Sequence, residues 1–222
     1  MASHLDLQEQ EQIDQLKAFW KRWGNLITWL ITAVLVAFAG WQGWQWYQRD
    51  QAAKAAAMYD EFDRALQAQD LGKATAAFGD LKARFASTGY TAQAGLQVAK
   101  LQLDQSKADE ARQSLGWVAE QGSEAAYRDI ARLRLAGLQL DSKAYDDAAK
   151  TLDGIRSAEF AALAADRRGD LLLLQGKGDE AKAQYQKALA GLEKGQDYRT
   201  VVESKLATLG VPTVVDATGA AQ

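Results

Sequence analysis

The 222-residue chain has no cysteine, one histidine (His4) and one proline (Pro212). Without cysteine there is neither a disulfide nor a thiolate nucleophile, although its absence suits an oxidising compartment. A single histidine cannot assemble a Cys/His metal site or a histidine-centred triad, so no metal, no cofactor and no catalysis are expected. A basic excess is also missing: 26 lysines and arginines against 29 acids give a net charge of −3, which argues against a nucleic-acid partner. With proline nearly absent, helices can run uninterrupted, and the abundant Ala, Leu, Gln, Lys and Glu favour them. Hydrophobic residues make up 48% of the chain and charged residues 25%, enough for a packed core. These proportions predict an all-α protein.

From Trp23 to Gln48 no residue is charged, and Leu26 to Trp46 supplies an unbroken run of mostly apolar positions. At ~1.5 Å per residue that is roughly 31 Å of helix, the thickness of a bilayer core. Six of the seven tryptophans lie between Trp20 and Trp46. Trp20 and Trp23 sit at one end of the apolar run, with Trp41, Trp44, Trp46 and Tyr47 at the other, as membrane-interface anchors do. Ala37-Phe38-Ala39 would suit a signal-peptide cleavage site. Against cleavage, the stretch before the run is long and carries Asp6, Glu9, Glu11 and Asp14, and apolar character continues past Ala39. Lys17, Lys21 and Arg22 before the span outnumber Arg49 and Lys54 after it, favouring an N-terminus inside and a C-terminal domain outside. Ahead of the span, Ile13, Leu16, Trp20 and Trp23 form one apolar stripe at helical spacing.

The remainder repeats. Tyr90, Ala94, Leu96, Ala99, Leu101 and Leu103 recur one period on as Tyr127, Ala131, Leu133, Ala136, Leu138 and Leu140. A third copy follows after a slightly shorter interval, with Phe160, Ala164, Gly169, Leu171 and Leu173 in phase. Each copy passes through a polar turn into a second helix, opened by Ala108-Asp-Glu-Ala111, Tyr145-Asp-Asp-Ala148 and Gly178-Asp-Glu-Ala181. A fainter first copy carries Phe62, Ala74 and Phe78. The period, roughly 33 to 37 residues, fits a solenoid of helical hairpins. Small residues at Ala99, Ala136 and Gly169 would let each first helix approach its second at Ala111, Ala148 and Ala181, with Leu115, Leu152 and Tyr185 filling the space beside them.

In this register Gly176-x-Gly178-x-x-Ala181, which satisfies the relaxed dinucleotide fingerprint, falls on an inter-helix turn. The preceding leucines contain no β-branched residue, and no other unit could form a sheet, so the match is accidental. Ser106 with Asp109 reads as an N-capping box. Gly/Ser stretches at Ser87-Thr88-Gly89, Gly122-Ser123 and Gly195-Gln196 mark hairpin boundaries. Val201, Val202, Leu206 and Leu209 predict the inner face of a capping helix, with Arg199, Glu203 and Lys205 on its other side.

Gly169, Ala181, Tyr185 and Ala188 resemble the tetratricopeptide pattern, which the earlier copies follow less closely. The order of parts is similar to the YfgM family, the ancillary subunits of the bacterial SecYEG translocon. That likeness rests on Glu11-Gln-Ile-Asp-Gln-Leu-Lys-Ala-Phe-Trp-Lys21, Gly40-Trp-Gln-Gly-Trp-Gln-Trp46, Leu133-Arg-Leu-Ala136, Ala165-Asp-Arg-Arg-Gly169-Asp and Ser204-Lys-Leu-Ala-Thr-Leu209. The resemblance implies a non-enzymatic inner-membrane protein with a periplasmic repeat domain, working with SecYEG, a PpiD-like chaperone and translocating polypeptides. The expected organisation is a cytoplasmic segment 1–24, a transmembrane helix 25–47, a repeat domain with its cap 48–210, and a disordered tail 211–222. The alternative is a cleaved periplasmic repeat protein acting in envelope assembly.

Solenoid geometry gives the candidate docking groove. The first helices of successive copies would present Gln93, Leu96, Lys100, Ile130, Leu133, Gly137, Leu163, Asp166, Asp170 and Leu173. Mixed aliphatic and charged positions suit a helical or extended polypeptide better than a small anion. No basic cluster is apparent that could clamp a C-terminal carboxylate, and Asp166 with Asp170 reads as a solvated helix face. The competing expectation is that several of these leucines are buried between hairpins.

Overall fold

A computed structural model describes residues 7–211, with side chains described from residue 11. His4, Asp6 and the expected tail from Pro212 onward lie outside the described residues. Every regular element described is helical. The order is α1 (Leu7–Gln67), α2 (Leu71–Phe85), α3 (Gly89–Asp104), α4 (Ala108–Gln121), α5 (Ala125–Asp141), α6 (Tyr145–Asp153), a 3-10 turn (Ala158–Phe160), α7 (Ala161–Leu174), α8 (Gly178–Gly191) and α9 (Asp197–Thr208). The chain divides into two units, Met1–Gln51 and Ala52–Gln222.

In the first unit, α1 carries a stretch long and apolar enough to cross a membrane. Along it Trp29, Leu30, Val34, Leu35 and Val36 are all exposed. Thr28 and Thr32 return their hydroxyls to the carbonyls of Gly24 and Thr28, each at 2.8 Å, so neither leaves an unsatisfied hydroxyl in the apolar stretch.

In the second unit the helices pair in sequence order as hairpins, and the small residues do what the repeat requires. Ala99, Ala136, Ala111, Ala148 and Ala181 are all buried. Gly169 lies directly under the Tyr185 ring, where a Cβ would collide with it. Leu115, Leu152 and Tyr185 are fully buried beside these contacts. The first hairpin, built from the end of α1 and α2, puts Phe62 where later copies have a small residue. That ring is fully buried in a cluster with Phe78, Leu81, Phe85 and Val98.

The four turns inside the hairpins repeat the same pair of backbone hydrogen bonds. Gln69, Ser106, Lys143 and Gly176 have φ of 55°, 62°, 61° and 77°, in the left-handed region. Each donates its amide to the third residue before it: Leu66, Leu103, Leu140 and Leu173. The next residue donates to the fifth before it, Asp70 to Ala65, Lys107 to Gln102, Ala144 to Gln139 and Lys177 to Leu172. These are four Schellman motifs, which satisfy the orphan carbonyls at the end of each first helix. Gly176 therefore closes a helix rather than cradling a phosphate, and the element before it is a helix, not a strand. Ser106 is not an N-cap: α4 starts after Lys107, which makes no side-chain capping bond, and Ser106 is spent on the left-handed turn. A Cβ in this conformation costs on the order of 1 kcal/mol. Lys143→Gly is accordingly expected to raise the melting temperature and Gly176→Ala to lower it. Thermal unfolding followed by circular dichroism checks both signs.

On α9, Val202 and Leu206 are buried as expected, whereas Val201 is exposed. Arg199 and Glu203 pair at 3.0 Å. Lys205, expected on the solvent side, turns inward instead to bond Asp166 and Asp170.

Candidate functional site

The face built by α3, α5 and α7 contains two hollows. The larger, about 660 Å³, is lined by Ile130, Leu133 and Leu163 of the expected groove, together with Phe160, Leu192 and Tyr198. The smaller, about 340 Å³, is lined by Leu96, Lys100 and Gly137 with Leu103, Leu138 and Asp141. Arg134 and Arg167 line both. Six of the ten expected positions thus converge on one surface. Gln93 and Leu173 line neither hollow: Gln93 is half-buried and Leu173 is exposed.

The remaining two, Asp166 and Asp170, require a correction, because they do not form a solvated face. Asp166 is 1% exposed. Lys205 reaches back from α9 to bond both Asp166 oxygens at 2.9 Å and Asp170 Oδ1 at 2.6 Å. The Tyr198 hydroxyl donates to Asp166 at 2.7 Å, and the Tyr185 hydroxyl donates to Asp170 at 2.8 Å. Arg167 approaches the other Asp170 oxygen at 3.2 Å. The reason lies in the repeat itself. Asp166 shares the register of Leu96 and Leu133, each of which is followed by a further hairpin. In the last copy α9 takes that hairpin's place and brings a lysine. Burial pushes both tyrosine hydroxyls well above the ordinary phenol range, and the hydrogen bonds to Asp170 and Asp166 push them further. Both stay protonated donors.

A second buried carboxylate secures the loop between α6 and α7. Asp129, 1% exposed, accepts from Arg132 Nη1 at 2.7 Å and from the backbone amides of Ser157 at 3.0 Å and Arg156 at 3.3 Å. Arg132 also donates to the Ala119 carbonyl at 2.9 Å.

Arg134 and Arg167 are the groove residues that the sequence reading missed. They stand one repeat apart, at equivalent positions, each one step beyond Leu133 and Asp166. A register that scored this next position would have found them. Arg134 donates to the Leu96 carbonyl at 3.2 Å. Among the described residues neither Arg134 nor Lys100 has a carboxylate partner.

In the N-terminal unit the aromatic residues expected as anchors, Trp20, Trp23, Trp41, Trp44, Trp46 and Tyr47, are all exposed, as are Ile13 and Leu16 of the preceding stripe. Trp44 and Tyr47 lie with ring centroids 6.1 Å apart, and Phe38 and Trp41 6.3 Å apart. No group of three acidic or histidine side chains suited to a metal occurs among the described residues.

A helix apolar enough to cross a membrane, followed by helical hairpins and a closing helix, defines a tetratricopeptide repeat-like protein. Residues 17–211 match the profile of the family described as a tetratricopeptide repeat-like domain. The chain is also 30% identical, over 213 residues, to a protein of Neisseria gonorrhoeae (strain ATCC 700825 / FA 1090) named ancillary SecYEG translocon subunit. That alignment covers 94% of this chain and the whole of the relative. The chain belongs to the YfgM-like family of ancillary SecYEG translocon subunits.

Proposed function

We propose that this chain is a membrane-anchored, non-enzymatic accessory subunit of the SecYEG translocon. In this reading residues 25–47 form a retained single span in the bacterial inner membrane, with residues 1–24 in the cytoplasm. The repeat domain, 48–210, stands in the periplasm and presents its groove to a PpiD-like chaperone or to translocating polypeptides. The observation that carries the reading is collinearity: the alignment with the translocon subunit runs through the apolar helix as well as the repeats. Tryptophans outward at both ends of the apolar stretch support retention, because amphipathic rings favour both membrane interfaces. The groove supports an adaptor role, since it mixes aliphatic walls with a few charged groups and suits a peptide.

Extraction of membranes in mild detergent tests this. The expected result is an intact mass of 24.2 kDa, retaining the segment before Ala39, with SecY co-eluting. A soluble form starting after Ala39, with no SecY in the membrane extract, would contradict the proposal and favour the released periplasmic protein.

A further inference from the structure

Resting on the reading of the groove as a docking surface, we infer that its occupant is a polypeptide segment with aliphatic side chains around an acidic residue, whose carboxylate lies between Arg134 and Arg167. The observation is the position of these two arginines. They come from α5 and α7 and each borders both hollows, which makes the pair the junction between them. On one side lie Ile130, Leu133 and Leu163, an apolar volume large enough for one or two aliphatic side chains. On the other lie Leu96, Leu103 and the exposed Lys100.

Charge decides the occupant's chemistry. The Arg134 guanidinium has spent one donor on the Leu96 carbonyl and has four left; Arg167 has spent one on Asp170. Arg167 and Lys205 together balance Asp166 and Asp170, so Arg167 brings open donors to the junction while the unpaired positive charge there is that of Arg134. Two planar cations facing one junction offer a carboxylate the forked geometry that guanidinium recognises. Apart from Asp170, which holds Arg167, each acid lines one hollow only: Glu159 and Asp197 the larger, and Asp141 the smaller. They disfavour a polyacidic ligand and leave room for one carboxylate flanked by apolar residues.

The test uses the full chain in detergent micelles or nanodiscs and a short, end-blocked fluorescent peptide of leucine and alanine around one central glutamate. Its twin carries glutamine instead. Fluorescence anisotropy is expected to show the glutamate peptide binding about tenfold more tightly than its twin, the worth of one charge-assisted pair. That preference should shrink as salt rises. In Arg134→Gln, whose native side chain is exposed and has no carboxylate partner among the described residues, the preference should vanish while the glutamine peptide binds as before. Arg134→Lys should restore it in part, because a lysine keeps the charge without the fork. Melting curves establish that both variants are folded. Equal binding of the two peptides to the native chain, or an unchanged preference in Arg134→Gln, would overturn the inference, as would binding of neither peptide. The accessory-subunit reading has a separate readout, because SecY co-elution does not depend on this peptide.

Discussion

Replacing Lys205 by alanine is expected to release α9 from the last repeat and to lower the stability of the repeat unit by about 3 kcal/mol. The lysine is the cation for two carboxylates at once, bonding Asp166 at 2.9 Å and Asp170 at 2.6 Å. Asp166 is 1% exposed, so without Lys205 its charge is left buried with only the Tyr198 hydroxyl and no cation in contact. Removing one partner of a buried pair costs about 3–5 kcal/mol, and the lower end applies because a quarter of the Lys205 side chain is still wet. Hydrogen exchange should localise the loss, with α9 amides opening first while α3 and α4 remain protected. Asp166→Asn combined with Lys205→Met should recover much of the stability, since it removes the uncompensated charge rather than exposing it. An unchanged melting temperature in Lys205→Ala would mean that the ion cluster does not hold the cap.

Asp129→Ala is expected to cost a similar amount, about 3 kcal/mol, for a different reason. The carboxylate is the shared acceptor of Arg132 and of two loop amides, at Arg156 and Ser157. Its removal leaves a guanidinium and two donors facing a cavity, each with a desolvation cost of about 1–3 kcal/mol that water entry reduces. Asp129→Asn should cost less, because the amide oxygen still accepts from the loop. The same geometry sets a pH dependence. Burial pushes the Asp129 carboxyl upward, but hydrogen bonds from Ser157, Arg132 and Arg156 outweigh it and hold the group below the ordinary carboxylate range. A group whose folded pKa is depressed contributes stability above its unfolded pKa, about 3.9, and loses it as pH falls through the folded value. Asp129→Asn should therefore flatten the stability loss below about pH 4. Thermal melts across that range check it; parallel acid profiles for the native chain and the variant would contradict the assignment.

Much of this architecture was legible because repeats make every assignment several times. Ala111, Ala148 and Ala181 confirm one another at successive periods, and the apolar run before Gln48 carries its own length signal. The groove was less legible. Periodicity marks which positions face the first-helix surface, yet a repeat's last copy has a different neighbour from the others. Asp166 shares its register with Leu96 and Leu133, so nothing local shows that Lys205, on a helix outside the repeats, will close over it. Asp129 is hidden in the same way, because its partners Arg156 and Ser157 sit in a loop with no repeat equivalent. Ser106 misled for a physical reason: serine is a good cap, but helix termination demanded a left-handed residue there first. Arg134 escaped because one register position was scored as groove and its neighbour was not.

Photo-crosslinking in living cells from the exposed face of the apolar helix tests the central claim most directly. A photoreactive residue at Trp29 or Leu35, both outward on α1, should capture a SecYEG subunit, whereas one at exposed Gln113 on α4 should not. Capture of no SecYEG subunit from any position along the apolar stretch, in a protein shown to be membrane-inserted, would contradict the account.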